Sequence, residues 1–477
     1  MKIAVMRERA GGETRVAATP ETVAKLIGFG ATVSVEKGAG DASRILDGQY
    51  EAAGASLEAT AAAAVKGADV ILAVRRPEVG ALSGAAKGAL VLAVADPYGN
   101  EAALAALAGA GFSVLAMELM PRITRAQVMD VLSSQANLAG YQAVIEAALA
   151  YDRAMPMMMT AAGTVRAAKV FVMGAGVAGL QAIATARRLG AAVSATDVRA
   201  AAGEQVESLG AKFIMTDALK DASGSGGYAR ELTPEEQAAQ AELVAGHIAK
   251  QDIVVTTALI PGRPAPRLVT KAMVESMAPG SVLVDLAAER GGNVELTRPG
   301  EVVVHNGVTI IGLLNRAGKI AATASQLYAK NLLAFLETMI DKDAKALKVD
   351  WEDELVKATL LTRDGAVVHP NFAEAASAAA KAEPKPVEAD KPVAKAPAKT
   401  GAAAKAAEAK VATAGAVSVA GEKPARKRTP AKTGAASKTA EAAPEAAKPA
   451  ARKAPARKPA AKKPAAKKTV IKSDGEA

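Results

Sequence analysis

The chain has 477 residues, a formal net charge of +10 and no cysteine, which excludes a disulfide framework, a thiolate metal site and a cysteine nucleophile. That length is too great for one ordinary core and suits two or three domains. Counting Lys and Arg against Asp and Glu, residues 380–477 carry about +14 and residues 1–379 about −4, so the basic balance describes the tail alone and the folded part is mildly acidic.

The start, Met1-Lys2-Ile3-Ala4-Val5, reads as a first strand and not as a charged and then apolar signal peptide. Residues 3–5, 32–35, 70–74, 90–94 and 112–116 read as short buried strands separated by helical stretches, the pattern of a parallel α/β sheet. The apolar run 102–117 is Ala-rich and broken by Gly109, Gly111 and Ser113; a membrane span needs about 20 strongly apolar residues, so none is expected. Long helical patterns at 134–153 and 322–340 bracket the central part of the chain and are natural connectors between two lobes.

Between them lies the strongest signal. Lys169-Val170-Phe171-Val172-Met173 reads as a buried strand, and Gly174-Ala175-Gly176-Val177-Ala178-Gly179 follows it as a Gly-x-Gly-x-x-Gly turn. An Ala/Leu-rich helix comes next, then the strand Ala192–Thr196 and Asp197. Gly174 permits the tight turn, Gly176 lets the backbone approach a pyrophosphate, and Gly179 allows close helix–strand packing. The helix N-terminus offers free N–H groups to phosphate. Asp197 is positioned to accept from a ribose 2′-OH and to repel a 2′-phosphate, which favours NAD(H) over NADP(H). Strands are expected at 212–214, 253–257, 282–285 and 308–311, with Thr257, Ala258 and Leu259 at a strand's carboxyl edge, where ligands of open α/β sheets sit.

The segment 220–235 contains Ser223-Gly224-Ser225-Gly226-Gly227-Tyr228 and reads either as a surface excursion or as a lid on the nucleotide site. Residues 344–368 read as a return onto the first lobe. Beyond Asn371 the character changes: no aromatic follows Phe372, and Ala, Lys and Pro dominate. Such a tail cannot bury enough apolar surface to offset its ordering entropy and is expected to be disordered. The expected fold is therefore α/β: two Rossmann-like parallel-sheet lobes joined by long helices, with domains at 1–135 plus 320–379, 136–319, and a basic tail at 380–477.

The run from Met117 to Gln135, together with Asn137–Tyr141, Pro156–Thr164 and Thr256–Gly262, resembles domain I of proton-translocating NAD(P) transhydrogenase. The resemblance extends over roughly residues 1–371. It implies the alpha-1 type subunit: an NAD(H)-binding component that takes part in Si-Re-specific hydride transfer. NADP(H) would be held on a partner component, and membrane-embedded subunits would translocate the proton. A homodimer peripheral to the cytoplasmic face of a bacterial inner membrane is implied as well. Carried onto this sequence, Arg122 would meet the nicotinamide carboxamide region, and Asp130 and Ser133 would hold Arg122 or the ring. Gln127 would bridge toward the second nucleotide, with Ile123 and Thr124 beside them. Gly174, Gly176, Val177 and Gly179 would line the pyrophosphate, Asp197, Val198 and Arg199 would flank the adenosine ribose, and Gly227 with Tyr228 would form a mobile loop. No metal is implied. One departure is Leu314-Asn315-Arg316-Ala317, where the family usually shows Asn followed by a Pro-Ser-type turn. Hydride passing between two nicotinamides needs no proton transfer to substrate, so positioning and exclusion of water suffice, and Arg, Gln, Asp and Ser suit that task.

The enzyme alternative is alanine dehydrogenase, which shares the two-lobed architecture. It must bind a keto acid and move a proton, requiring a lysine where this chain has Arg75-Arg76, a histidine at Val94-Ala95-Asp96 and an aspartate at Glu289. Arg15 suits both enzymes. His247, His305 and His369 all lie outside the first lobe's strands and read as partly exposed structural histidines. The basic tail is a solubilising extension or an adhesive for anionic lipid, worth about 1 kcal/mol per basic residue near the membrane; nucleic acid is the lesser choice.

Overall fold

The computed structural model describes residues 1–216, 230, 232–260 and 262–381; the expectations for Gly227, Tyr228 and the basic tail lie outside these residues. Aliphatic, β-branched runs buried on both faces build two sheets. The first takes β1 (Lys2–Val5), β2 (Thr32–Glu36), β3 (Ser56–Glu58), β4 (Val70–Arg75), β5 (Leu90–Val94) and β6 (Ser113–Ala116). Strands β7 (Met158–Thr160) and β8 (Gly163–Val165) form a hairpin belonging to neither sheet. The second sheet takes β9 (Lys169–Met173), β10 (Ala192–Thr196), β11 (Lys212–Phe213), β12 (Ile253–Thr256), β13 (Val282–Asp285), β14 (Val302–His305) and β15 (Val308–Ile311). A small hairpin, β16 (Ile340–Asp341) and β17 (Ala346–Leu347), precedes β18 (Leu360–Arg363) and β19 (Ala366–Val367), which return to the first sheet.

The strand orders are β19-β18-β6-β5-β4-β1-β2-β3 and β11-β10-β9-β12-β13-β15-β14. Both sheets are parallel through their centres, as expected, but each ends in an antiparallel edge. In the second sheet the edge is made by Asn306-Gly307, with φ values of 50° and 78°, joining β14 to β15. In the first it is made by Asp364-Gly365, at 51° and 83°, joining β18 to β19. Two consecutive left-handed residues are the type I′ hairpin turn that Asn-Gly and Asp-Gly favour.

Two long helices tie the sheets together. The first connector, Val131–Ala150, starts three residues before the expected 134. Asp130 caps it, its Oδ1 accepting the Ser133 N–H at 2.8 Å and so satisfying one of the free N–H groups of the first turn. The second connector, Ala321–Glu337, lies against the first sheet with Leu332, Phe335 and Leu336 fully buried, each contributing about 1.5–3 kcal/mol relative to exposure. Its Tyr328 hydroxyl donates to the Ala73 carbonyl at 2.9 Å.

The first connector meets the helix Val177–Arg188 at Gly140. A Cβ there would lie 2.0 Å from the Ala178 carbonyl oxygen, so only glycine allows this approach. The obstacle is backbone on the opposing helix, which cannot rotate away. Gly140→Ala should therefore lower stability by about 1–3 kcal/mol, the usual cost of overpacking. Urea unfolding would read this as a lower midpoint at unchanged slope; an unchanged midpoint would mean the helices separate freely.

Candidate functional site

The glycine turn after β9 is held from both sides. Gly174 has φ 103°, which a side chain would strain. A Cβ on Gly179 would lie 1.8 Å from the Gly174 carbonyl oxygen. That same oxygen accepts the Thr257 hydroxyl at 3.1 Å, so the strand end after β12 braces the turn. Above Gly176 an ideal Cβ meets nothing within 4 Å. The turn is therefore closed toward the sheet and open toward solvent, with the N-terminus of the 12-residue helix Val177–Arg188 at its mouth. A phosphate group could approach there. The Thr257–Leu259 edge is pinned by Asn293, fully buried, which accepts the Ala258 N–H at 3.1 Å and donates to the Ala258 and Pro266 carbonyls at 2.9 and 2.8 Å.

Asp197 ends β10 and is buried. Its Oδ2 accepts the Ala175 N–H at 2.7 Å, tying the acid to the glycine turn. Burial would raise its pKa, but hydrogen bonds from the Arg199 side chain, the Arg199 N–H and the Ala175 N–H outweigh it and hold the carboxyl below the usual carboxylate range. Val198 and Arg199 are half-buried beside it.

The Arg122–Ser133 segment is a loop on two anchors. Within the turn Thr124–Met129, Ala126 and Met129 are buried, while Gln127 and Val128 point outward, Val128 64% exposed. Arg122 and Thr124 are exposed and Ile123 packs against the first lobe's core. Asp130 and Ser133 bond each other, Ser133 Oγ donating to Asp130 Oδ2 at 2.5 Å, so they form the helix cap. The other anchor is Asn331 on the second connector, whose Nδ2 donates to the Val128 carbonyl at 2.8 Å and whose Oδ1 accepts the Ser134 hydroxyl at 2.7 Å. Ser133 and Gly140 are seven residues apart on one helix, roughly 10 Å along its axis. Gly140 touches Ala178, inside the glycine-turn motif. The connector thus fixes the distance between the exposed loop and the phosphate-facing turn. Asn331 and Asn293 carry no local sequence signal; their partners are distant in the chain.

Opposite this site, the first sheet's carboxyl edge is filled with charge. Glu13 accepts Arg15 Nη2 at 2.7 Å and Arg75 Nε at 2.9 Å, and Arg15 donates onward to Gln135 at 2.9 Å. Although burial opposes it, the Arg15 and Arg75 charges and hydrogen bonds bring Glu13 down to about 2. The second lobe reaches this cluster through Asn315, the site of the family departure. Its Nδ2 donates to the Gly12 carbonyl at 2.9 Å and to Glu13 at 3.2 Å, and its N–H donates to Glu289 at 2.7 Å. Arg290 pairs with Asp96 across the same cleft.

Two domain models of the alanine dehydrogenase/PNT family match the chain, the N-terminal one over residues 4–139 and the C-terminal one over residues 143–370. Over 380 residues the chain is 55% identical to the first of the separate alpha subunit chains of NAD(P) transhydrogenase from Rhodospirillum rubrum, spanning 78% of this chain and 98% of that protein. The solved structure of transhydrogenase from Sinorhizobium meliloti is 63% identical with a TM-score of 0.71, covering 77% of this chain and all of that one, 100%. An L-alanine dehydrogenase structure, 24% identical, shares the fold with a TM-score of 0.66 over 80% of this chain and 100% of its own.

Glu8 lies beside Glu13, accepting the Val74 and Arg75 N–H groups at 2.6 and 3.3 Å. Burial pushes its pKa from 4.5 up to about 7, the Val74 hydrogen bond resisting and the Glu13 charge adding to the rise. A raised folded-state pKa stabilises the fold below the unfolded value and loses that contribution as pH climbs through the folded one. Glu8→Gln should therefore gain up to about 3 kcal/mol over wild type at pH 8, with the gain vanishing below about pH 4.5. Denaturant titration at the two pH values checks this; a constant difference would mean the carboxyl is not titrating in this window.

Proposed function

The chain belongs to the alanine dehydrogenase/PNT family, and from that premise we propose that it passes hydride directly between NAD(H) on its second lobe and NADP(H) held by a partner component. It is an NAD(P) transhydrogenase subunit with NAD(H) as its cofactor. The supporting observation is the geometry of one helix: the open glycine turn packs against the first connector, and that connector's capped end carries the exposed Arg122–Asp130 loop. A dinucleotide with its pyrophosphate over Gly176 and its ribose near Asp197 can extend its nicotinamide toward that loop. One nicotinamide is oxidised as the other is reduced, and the hydride moves with its electron pair. No proton is exchanged with substrate, so the residues need only bind, orient and exclude water. In this reading Arg122 holds the carboxamide, the Asp130–Ser133 cap fixes the loop, and the exposed Gln127 and Val128 face the partner's nucleotide. Thr257–Leu259 closes the carboxyl edge, and Gly227 with Tyr228 acts as the lid. The domain division at 135/136, 319/320 and 379/380 belongs to the same reading.

Among the described residues no helix is long and apolar enough to cross a membrane, so proton translocation falls to other subunits and this chain is peripheral to them, on the cytoplasmic face. The basic tail fits adhesion to anionic lipid beside those subunits. The alanine dehydrogenase alternative is disfavoured by the cleft. Arg75 and Glu289, at two positions where that enzyme requires other residues, pair with Glu13 and Asn315, and Asp96 at the third pairs with Arg290.

A homodimer is supported by the β7–β8 hairpin. Two-stranded hairpins are marginal in water on their own, yet this one stands apart from both sheets and exposes Met157, Met159 and Val165, with Met159 at 79%. A second copy related by a two-fold axis would cover both hairpins with one contact. Replacing Met157 and Met159 together by Asp should yield monomers in light scattering; a variant that remains dimeric would put the interface elsewhere.

The transfer itself is tested by reconstitution with an NADP(H)-binding partner component. Alanine at Arg122, Gln127 or Asp130 should leave NADH affinity within a few fold of wild type while the transfer rate falls by about a hundredfold, the order of loss for roughly 1 Å of misplacement. Parallel loss of binding and rate would overturn the alignment role.

A further inference from the structure

We propose that Arg199 is the specificity-determining residue of the nucleotide site, a removable plug on Asp197 whose positive charge the acid keeps from a 2′-phosphate. The proposal rests on the reading of Asp197 as the ribose ligand.

A carboxylate offers about four acceptor positions on its two oxygens. On Asp197 all four are occupied by protein donors. Oδ1 accepts the Arg199 N–H at 2.9 Å and Arg199 Nε at 2.8 Å. Oδ2 accepts the Ala175 N–H at 2.7 Å and Arg199 Nη2 at 2.8 Å. The two backbone donors are fixed by the strand end and the glycine turn. The other two belong to a single guanidinium, bound through the bidentate fork that arginine makes with carboxylates. A ribose diol brings two O–H donors and can engage Asp197 only where the fork now sits. Entry of NAD(H) therefore displaces the Arg199 side chain while the backbone bonds stay.

The same pair opposes NADP(H) in two ways. The carboxylate repels a 2′-phosphate directly. It also sequesters the neighbouring guanidinium, the group type that receives a 2′-phosphate in dinucleotide folds of this kind. Arg199 is two residues from Asp197, and its side chain is 23% exposed, so once released it remains at the ribose edge. Selectivity thus resides in the pair: Asp197 sets the preference for NAD(H), and Arg199 lowers the affinity of the preferred nucleotide while holding a latent 2′-phosphate site.

The test titrates NADH and NADPH separately into wild type, D197N, R199A, R199K and the double variants D197N/R199A and D197N/R199K by calorimetry. Circular dichroism melts confirm that each variant is folded. R199A should bind NADH severalfold more tightly than wild type, because no fork has to leave, and should bind NADPH no better. D197N should gain at least tenfold in NADPH affinity. The gain should disappear in D197N/R199A and survive in D197N/R199K, since lysine keeps the charge without the fork. An NADPH gain that persists in D197N/R199A would overturn the latent site, and R199A binding NADH as poorly as D197N would make Arg199 a ligand and not a plug. Should D197N bind NADH within twofold of wild type, the ribose reading of Asp197 itself fails, whatever Arg199 does. R199A does not touch the acid, so it remains informative if D197N is unstable.

Discussion

The close approach of the first connector to the nucleotide helix governs the rest of this molecule. Gly140 lets the backbone of Val131–Ala150 pass against Ala178, one residue before the last glycine of the turn. That glycine, Gly179, allows its helix to press against the Gly174 carbonyl, which the Thr257 hydroxyl then braces. Three layers of backbone are thereby stacked with no side chains between them. Packed interiors transmit displacement and do not absorb it, so the loop at the connector's start is positioned relative to the phosphate-facing turn by a rigid rod. A reaction that requires only alignment of two rings can be built on such a rod, and precision at the loop follows from precision at Gly140.

The carboxyl edges of the two sheets share one device put to different ends. Chain leaving a parallel strand exposes N–H groups, and buried acids cover them. Glu8 takes those of Val74 and Arg75, Glu118 those of Ala95 and Asp96, Asp285 those of Ala287 and Val294, and Asp197 that of Ala175. Burial pushes the Glu118 carboxyl up despite those bonds. In the first lobe the remaining space is taken by Glu13, Arg15 and Arg75, satisfied among themselves and by Asn315 from the other lobe. Charges in this setting are retained only where each has a partner. The second lobe keeps its edge open above Gly176. Two related α/β lobes thus divide the work: one is closed by its own ion pairs, the other is left to a ligand.

Those ion pairs also bear on evolution between two chemistries on one fold. A keto-acid dehydrogenase needs proton donors in the cleft. Here the corresponding positions serve as ties between lobes, with Arg290 on Asp96 and Glu289 on the Asn315 N–H. Fold alone would not separate the two activities; the side chains at the cleft do.

What the sequence by itself determined is the set of central strands, the glycine turn and the acid after β10, because each depends on neighbouring residues. Buried strands declare themselves as continuous apolar runs, and a glycine at φ 103° is required wherever the turn forms. The edge hairpins at Asn306-Gly307 and Asp364-Gly365 were equally local signals, though the strands they join, β14 and β19, are too short and exposed to read as apolar runs, as are β3, β7 and β8. Only the tertiary structure decided how Asp130 and Ser133 are used, as a helix cap and not as separate ring contacts. It alone showed Asn331 beneath Val128 and Asn315 on Glu13. It also showed the Arg199 fork on Asp197: the two residues are near neighbours in the chain, yet which atoms meet is set by burial of the acid against the glycine turn. Such pairings join groups up to some 300 residues apart, and no local propensity encodes them. They follow from where the packed helices and strand ends bring polar atoms that must find partners once water is excluded.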